Sequence, residues 1–372
     1  MTQHRFPAAF AAVVALGAAA PAEAAPVSSH AMVYTCCTPP AMKERIFSEA
    51  SASGAEFIRV DIELNGIFEG SGSREHPDWR RLDEVMRLAR RHELRVLGLI
   101  LGVPAWLSAC PESGADAPRC APRDPAEFGR LAGEVAAHAR GTIDHWQILN
   151  EPDADWAFKG GPEDYARMLS AAHDAIKRSA PEAQVVMGGV ERPWEHAWIE
   201  RVLATPGADA ARKFDVAAVH LRLRVPGRAS DLARPLRGWR ELLAAHGFAG
   251  PVWVTEHGYP ADIAFQRDPA HRGGDAAQAA FLHESVPILV DAGAAQVFVT
   301  LRDNLWGEYL SEGIVSRPSF AVVREVTGQL LLERLAAESS SAGLELAGAI
   351  QEGAAIGHER LARQLASGSS RG

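Results

Sequence analysis

The sequence predicts an α/β protein, a (β/α)8 TIM barrel, and three observations carry that expectation. Eight short apolar runs recur along the chain. An amphipathic helical pattern follows each of them. The first run lacks the glycine-rich phosphate turn that opens a doubly wound sheet, because it continues Thr35-Cys36-Cys37-Thr38-Pro39-Pro40. The runs are Ala31–Thr35, Glu56–Ile62, Arg95–Leu101, Thr142–Leu149, Gln184–Gly189, Val216–Leu221, Val252–Thr255 and Gln296–Leu301. They are rich in Val, Ile and Leu and alternate only weakly, as parallel strands covered on both faces do. Helical patterns fall at Pro40–Ala52, Asp78–His92, after Asp124-Pro125, and at Glu163–Ser179, Trp194–Leu203, Asp231–Ala245, Asp275–Asp291 and Phe320–Leu335. Within Asp78–His92, Leu82, Val85, Met86, Leu88 and Ala89 share one face. Asp124 before Pro125 reads as an N-cap followed by proline at the first helical position.

The 372 residues are 47% hydrophobic and 23% charged, enough for one large core. A net charge of −9 and the lack of a basic stripe argue against a nucleic-acid partner. Residues 1–24 read as a secretory signal peptide: Arg5, an apolar run from Phe10 to Ala20, then the small-x-small site Ala22-Glu23-Ala24. The expected location is secreted or periplasmic, with no membrane span in the mature form. Residues 25–338 form the expected catalytic barrel, and residues 339–372 a serine- and glycine-bearing extension, flexible or partly helical. Of four cysteines, Cys110 and Cys120 flank a Pro/Gly/Ala-rich loop and are expected to form a disulfide. Cys36 and Cys37 are adjacent and have no partner that sequence can name. No Cys/His spacing resembles a zinc site, so neither metal nor cofactor is expected.

Function in such barrels sits at the C-terminal strand ends. The fourth run closes Gln147-Ile148-Leu149-Asn150-Glu151-Pro152 and the seventh Val254-Thr255-Glu256-His257-Gly258-Tyr259. Two carboxylates therefore stand at strand ends that face each other across the mouth, the arrangement glycoside hydrolysis requires. Taken singly, either glutamate could be a first-turn carboxylate favoured by a helix dipole. Arg59, inside Phe57-Ile58-Arg59-Val60-Asp61, is a charge in an apolar strand and must be paired, with Glu256 or with Asp61 or Glu63.

Asn-Glu-Pro after strand four and Thr-Glu-His-Gly-Tyr after strand seven together resemble clan A glycoside hydrolases, family 39 most and family 5 next, over about residues 30–335. The resemblance implies a retaining enzyme acting on a carbohydrate, with Glu151 as acid/base and Glu256 as nucleophile. It implies that Asn150 binds the sugar 2-OH and that Arg59 supports Glu256. His220, closing the sixth strand, is expected to touch sugar. Relatives carry a tyrosine two residues further on, against the nucleophile; this chain has Arg222 there, which leaves Tyr259 to supply a hydroxyl. Trp306 after the eighth strand, Trp106 after the third and Trp156 after Pro152 are expected to line the substrate. Two other readings stay open: a barrel that binds glycans without cleaving them, and a transglycosylase. A metal-dependent hydrolase would need His-x-His or clustered Asp/His at strand ends, and none is present in the sequence.

Overall fold

A computed structural model describes residues 26–31, 38–70, 72–111, 114–222, 228–261, 274–302, 311–312 and 315–339. The signal segment, Cys36, Cys37, Trp306 and the extension beyond Ser339 lie outside the described residues. Eight strands run parallel: β1 (Val27–Ala31), β2 (Phe57–Glu63), β3 (Arg95–Leu101), β4 (His145–Ile148), β5 (Gln184–Val186), β6 (Ala217–His220), β7 (Val252–His257) and β8 (Ala294–Arg302). Their order is β5-β4-β3-β2-β1-β8-β7-β6. Parallel bridges Val186–Val216 and Val190–Val219 join the two outer strands and close the ring. The fold is a (β/α)8 barrel.

Helices α1 (Pro40–Ala52), α2 (Leu64–Phe68), α3 (Arg80–Arg91), α4 (Pro125–His138), α5 (Pro162–Ser179), α6 (His196–Leu203), α7 (Ala233–Ala245), α8 (Asp275–Asp291) and α9 (Pro318–Ser339) surround it. Helix α4 starts where Asp124 accepts from the Ala126 amide at 2.9 Å, with Pro125 inside the first turn. Helix α3 buries the five apolar residues of its stripe and leaves its arginines outside. Helices α4 and α5 meet at Gly129, where a Cβ would come within 2.5 Å of the Ala171 carbonyl, so only glycine allows the approach.

The barrel interior is layered. At its N-terminal end Ser28 donates to Gln296 (3.0 Å), which donates to Glu56 (2.6 Å). Above them Phe57, His145, Trp253 and Phe298 form an aromatic floor, with His145 stacked on Trp253 at 5.2 Å and Phe57 5.3 Å from Trp253. A polar belt of His30, Arg59, Gln147 and Thr255 rests on that floor.

The first strand lies at Val27–Ala31, not at the expected Ala31–Thr35. Ser28 and His30 face partners inside the barrel and Ser29 faces Ser53 at the end of α1, so this strand hides behind polar residues that an apolar-run criterion passes over. Strand β7 carries an extra residue. Val219 pairs with Val254 but His220 with Glu256, and on the other side Val254 pairs with Val297 but His257 with Val299. This bulge lets consecutive side chains Thr255 and Glu256 both reach inward, which a regular strand forbids.

Candidate active site

Glu256, 5% exposed, lies between two guanidinium groups. Arg59, 1% exposed, donates from Nη1 to Oε1 of Glu256 at 2.5 Å. Arg222 donates from Nη2 to Oε2. Arg59 is itself fixed on every side: Nε donates to Gln147 Oε1 (2.6 Å), Nη2 to Asn150 Oδ1 (2.7 Å) and Nη1 to His30 Nδ1 (3.2 Å). Gln147 in turn donates to Thr255 Oγ1 and the Met187 carbonyl, both at 3.1 Å. Guanidinium cannot accept, so His30 Nδ1 is the acceptor and its proton sits on Nε2, 3.6 Å from Glu256 Oε1. Burial alone would raise the Glu256 carboxyl. Arg222, the imidazoles of His220 and His30, and Arg59 outweigh it and hold the group well below the ordinary carboxylate range.

Glu151, 1% exposed, follows β4 in a backbone kink. Leu149 (φ 64°) and Glu151 (φ 41°) are both left-handed, on either side of Asn150. Such conformations in non-glycine residues cost about 1–2 kcal/mol each and persist where neighbours impose them. Here the Leu149 amide donates to Ile100 O (3.0 Å) and the Glu151 amide to Gly189 O (3.1 Å). His220 Nδ1 lies 2.7 Å from Glu151 Oε1 and 3.6 Å from Glu256 Oε2. His220 Nε2 is buried without a hydrogen-bond partner among the described residues and packs on Gly189, where a Cβ would come within 2.1 Å of it. A proton there would strand a buried donor, so the proton belongs on Nδ1, which donates to Glu151. Burial drops the His220 pKa to about 4, with Arg59 and Arg222 adding to it against Glu256 and Glu191, so the ring is neutral at pH 7. Burial likewise takes His30 well below its usual value and His257 to about 4.

The structure brings Glu151, Glu256, Asn150, Arg59 and His220 into one buried network. Of the aromatic candidates, Tyr259, Trp106 and Trp156 make other contacts, and Trp306 lies outside the described residues. Tyr259 is not among the described groups bonded to Glu256; its ring stacks on Phe281 at 4.7 Å, against α8, and Arg222 donates to Glu256 Oε2 instead. Trp106 donates to Phe68 O (3.3 Å) under the Arg74 guanidinium, and Trp156 is 55% exposed. Cys110 and Cys120 form a disulfide in the loop after β3.

Sequence reasoning missed four members of the site: His30, Gln147, Thr255 and Glu191. Gln147 had a readable signal, since it lies at the strand's period of two from His145. Glu191, after β5, is held by its amide on Asp153 Oδ1 (2.9 Å). Among the described residues Glu151, Glu191 and His220 form a group whose donor atoms lie within 4.8 Å of one another and could gather on a cation.

No family model and no curated protein matches the chain. Solved structures do. A glucosidase from Croceicoccus marinus is 15% identical at TM-score 0.60, over 82% of this chain and 68% of that one. A family 39 glycoside hydrolase from the gut symbiont Bacteroides cellulosilyticus WH2 is 16% identical at TM-score 0.59, over 81% and 64%. A GH5_18 protein from Streptomyces cattleya, solved with GlcNAc, is 18% identical at TM-score 0.59, over 83% and 81%. The chain thus spans less than two thirds of the family 39 enzyme's length. At these identities what is shared is the barrel.

Proposed function

We propose that the chain is a retaining glycoside hydrolase that cleaves a β-glycosidic bond of an oligo- or polysaccharide by double displacement, with Glu151 as acid/base and Glu256 as nucleophile. One observation carries the reading: both carboxylates lie against the same imidazole nitrogen of His220, at 2.7 and 3.6 Å. Those distances laid end to end cap the separation of the two oxygens at about 6.3 Å, which is compatible with the ~5–5.5 Å between the carboxyl groups of a retaining pair. The barrels of a glucosidase, a family 39 and a family 5 enzyme give the same fold context.

The residues divide the work by charge. Glu256, ionised between Arg59 and Arg222, attacks the anomeric carbon. Glu151 protonates the departing oxygen and then takes a proton from the incoming water. Asn150, held by Arg59, is placed to meet the sugar 2-OH. The Cys110–Cys120 disulfide supports export to an oxidising compartment, secreted or periplasmic.

The test is a screen of the protein and its Glu256→Ala variant on aryl β-glycosides and oligosaccharides. Cleavage by wild type alone, with retained anomeric configuration, is expected. Inverted product, or equal turnover by the variant, removes Glu256 as nucleophile. The Glu151–Glu191–His220 group favours a second reading, a metal-assisted hydrolase. Activity lost in chelator and restored by a divalent cation would select it.

A further inference from the structure

The contact between Arg222 and Glu256 has no counterpart in the roles taken from the resemblance, which place a neutral tyrosine at that point. Hydrogen bonds hold the residue before Arg222 on both sides. The Leu221 amide donates to the Glu256 carbonyl at 3.0 Å. The Leu221 carbonyl accepts from His257 Nδ1 at 2.6 Å, and His257 Nε2 is fixed by Ser285 Oγ on α8 at 2.8 Å. The residue before Arg222 is thus tied to both β7 and α8, and the Arg222 side chain is 5% exposed.

The two oxygens of Glu256 are not equivalent. Oε1 lies on the inner side, with Arg59 and His30. Oε2 faces the His220 nitrogen that binds Glu151, so it is the oxygen nearer the acid/base and therefore nearer the bond to be cut. Arg222 stands on Oε2.

We propose that Arg222 is a further catalytic residue of the reaction proposed above: it holds Oε2 of Glu256 and stabilises that carboxylate as it leaves the glycosyl-enzyme, so that deglycosylation is the faster of the two steps. The inference rests on the glycosidase reading. In the first step Oε2 bonds to the anomeric carbon, and the bond to the leaving oxygen breaks with its electron pair going to that oxygen, which takes the proton of Glu151. Arg222 opposes this step by stabilising the free carboxylate. In the second step a water oxygen bonds to the anomeric carbon and gives its proton to Glu151. The carbon–Oε2 bond breaks and its pair returns to Glu256, where the waiting guanidinium receives the charge. Arg59 stays on Oε1 throughout and serves both steps alike.

The experiment compares wild type with Arg222→Gln and Arg222→Lys in two measurements. Stopped-flow release of dinitrophenol from the aryl β-glycoside cleaved best in the screen reads the steps. Wild type should show no burst. Arg222→Gln should show a burst equal to the enzyme concentration, with kcat falling at least ~10-fold and kcat/KM, which reports glycosylation, unchanged or higher. Arg222→Lys, a point charge without the planar fork, should lie between. Equal losses in kcat and kcat/KM with no burst, in either folded variant, overturn the proposal.

The second measurement needs no substrate: a pH titration of the Glu256 carboxyl by carbon-13 NMR. Around that group stand Arg59 and Asp61 from β2, His30 from β1, His220 and Arg222 from the end of β6, and Glu151 after β4. Its midpoint should rise by about one unit or more when Arg222 is neutralised, against little change in Arg222→Lys. An unmoved midpoint in Arg222→Gln overturns the proposal even if no glycoside is cleaved. Failure of wild type on the whole panel, by contrast, counts against the glycosidase reading and leaves the midpoint to decide how Arg222 holds Glu256.

Discussion

Glu151 and Glu256 carry the same carboxyl group and differ only in what surrounds it. Glu256 has a guanidinium on each oxygen, which fixes its charge. Glu151 has a neutral imidazole on one oxygen, which fixes its orientation. In the proposed reaction these environments assign opposite roles to one residue type. For Glu151→Ala, substrates with poor leaving groups should slow by ~10²–10⁴-fold, because they need acid assistance, while dinitrophenyl glycosides lose far less in their first step. Equal losses on both in steady-state assays would take Glu151 out of the acid role. These two residues, with Asn150, Arg59 and His220, were legible because each is a polar side chain within or at the end of an apolar run. His30 and Glu191 were not, since their relevance depends on partners on other strands. Arg222 was visible as a departure, but its ion pair was not.

At the scale of the element, β2 to β8 and the longer helices followed from apolar runs and helical periodicity; β1, the short helix α2 and the irregularities did not. The bulge in β7 adds one residue without altering composition, so no pattern in Val252–His257 announces it. The left-handed pair around Asn150 arises from hydrogen bonds to β3 and to Gly189, far away in sequence. Strand β1 was displaced because its side chains serve the polar interior. A third kind of irregularity closes α3. Glu93 is left-handed (φ 54°) and exposed, and the following Leu94 amide turns back to Ala89 O at 3.0 Å. Glycine takes that conformation without steric cost. Glu93→Gly should therefore stabilise the protein by ~0.5–1 kcal/mol, a small upward shift in Tm. A lower Tm by calorimetry would show that the glutamate side chain contributes more than its backbone costs.

At the scale of the whole molecule, one charge buried in the closed barrel, that of Asp61, acts against stability at neutral pH. Burial raises the Asp61 carboxyl to about 7, with Glu63 and Glu256 adding to it against Arg59. Its folded pKa exceeds its ordinary value of 3.8, so the fold favours the protonated form. That contribution is complete below about pH 4 and is lost as pH rises through about 7. Asp61→Asn cannot ionise and escapes the loss. Its Tm relative to wild type should climb between pH 5 and pH 8; a difference independent of pH would show that Asp61 does not titrate in this range.

The aromatic floor of Phe57, His145, Trp253 and Phe298 has a consequence for traffic. These side chains fill the barrel at its base, so the network of Arg59, Glu151 and Glu256 has protein beneath it. A molecule in contact with that network would have to approach and withdraw on the side of the C-terminal strand ends.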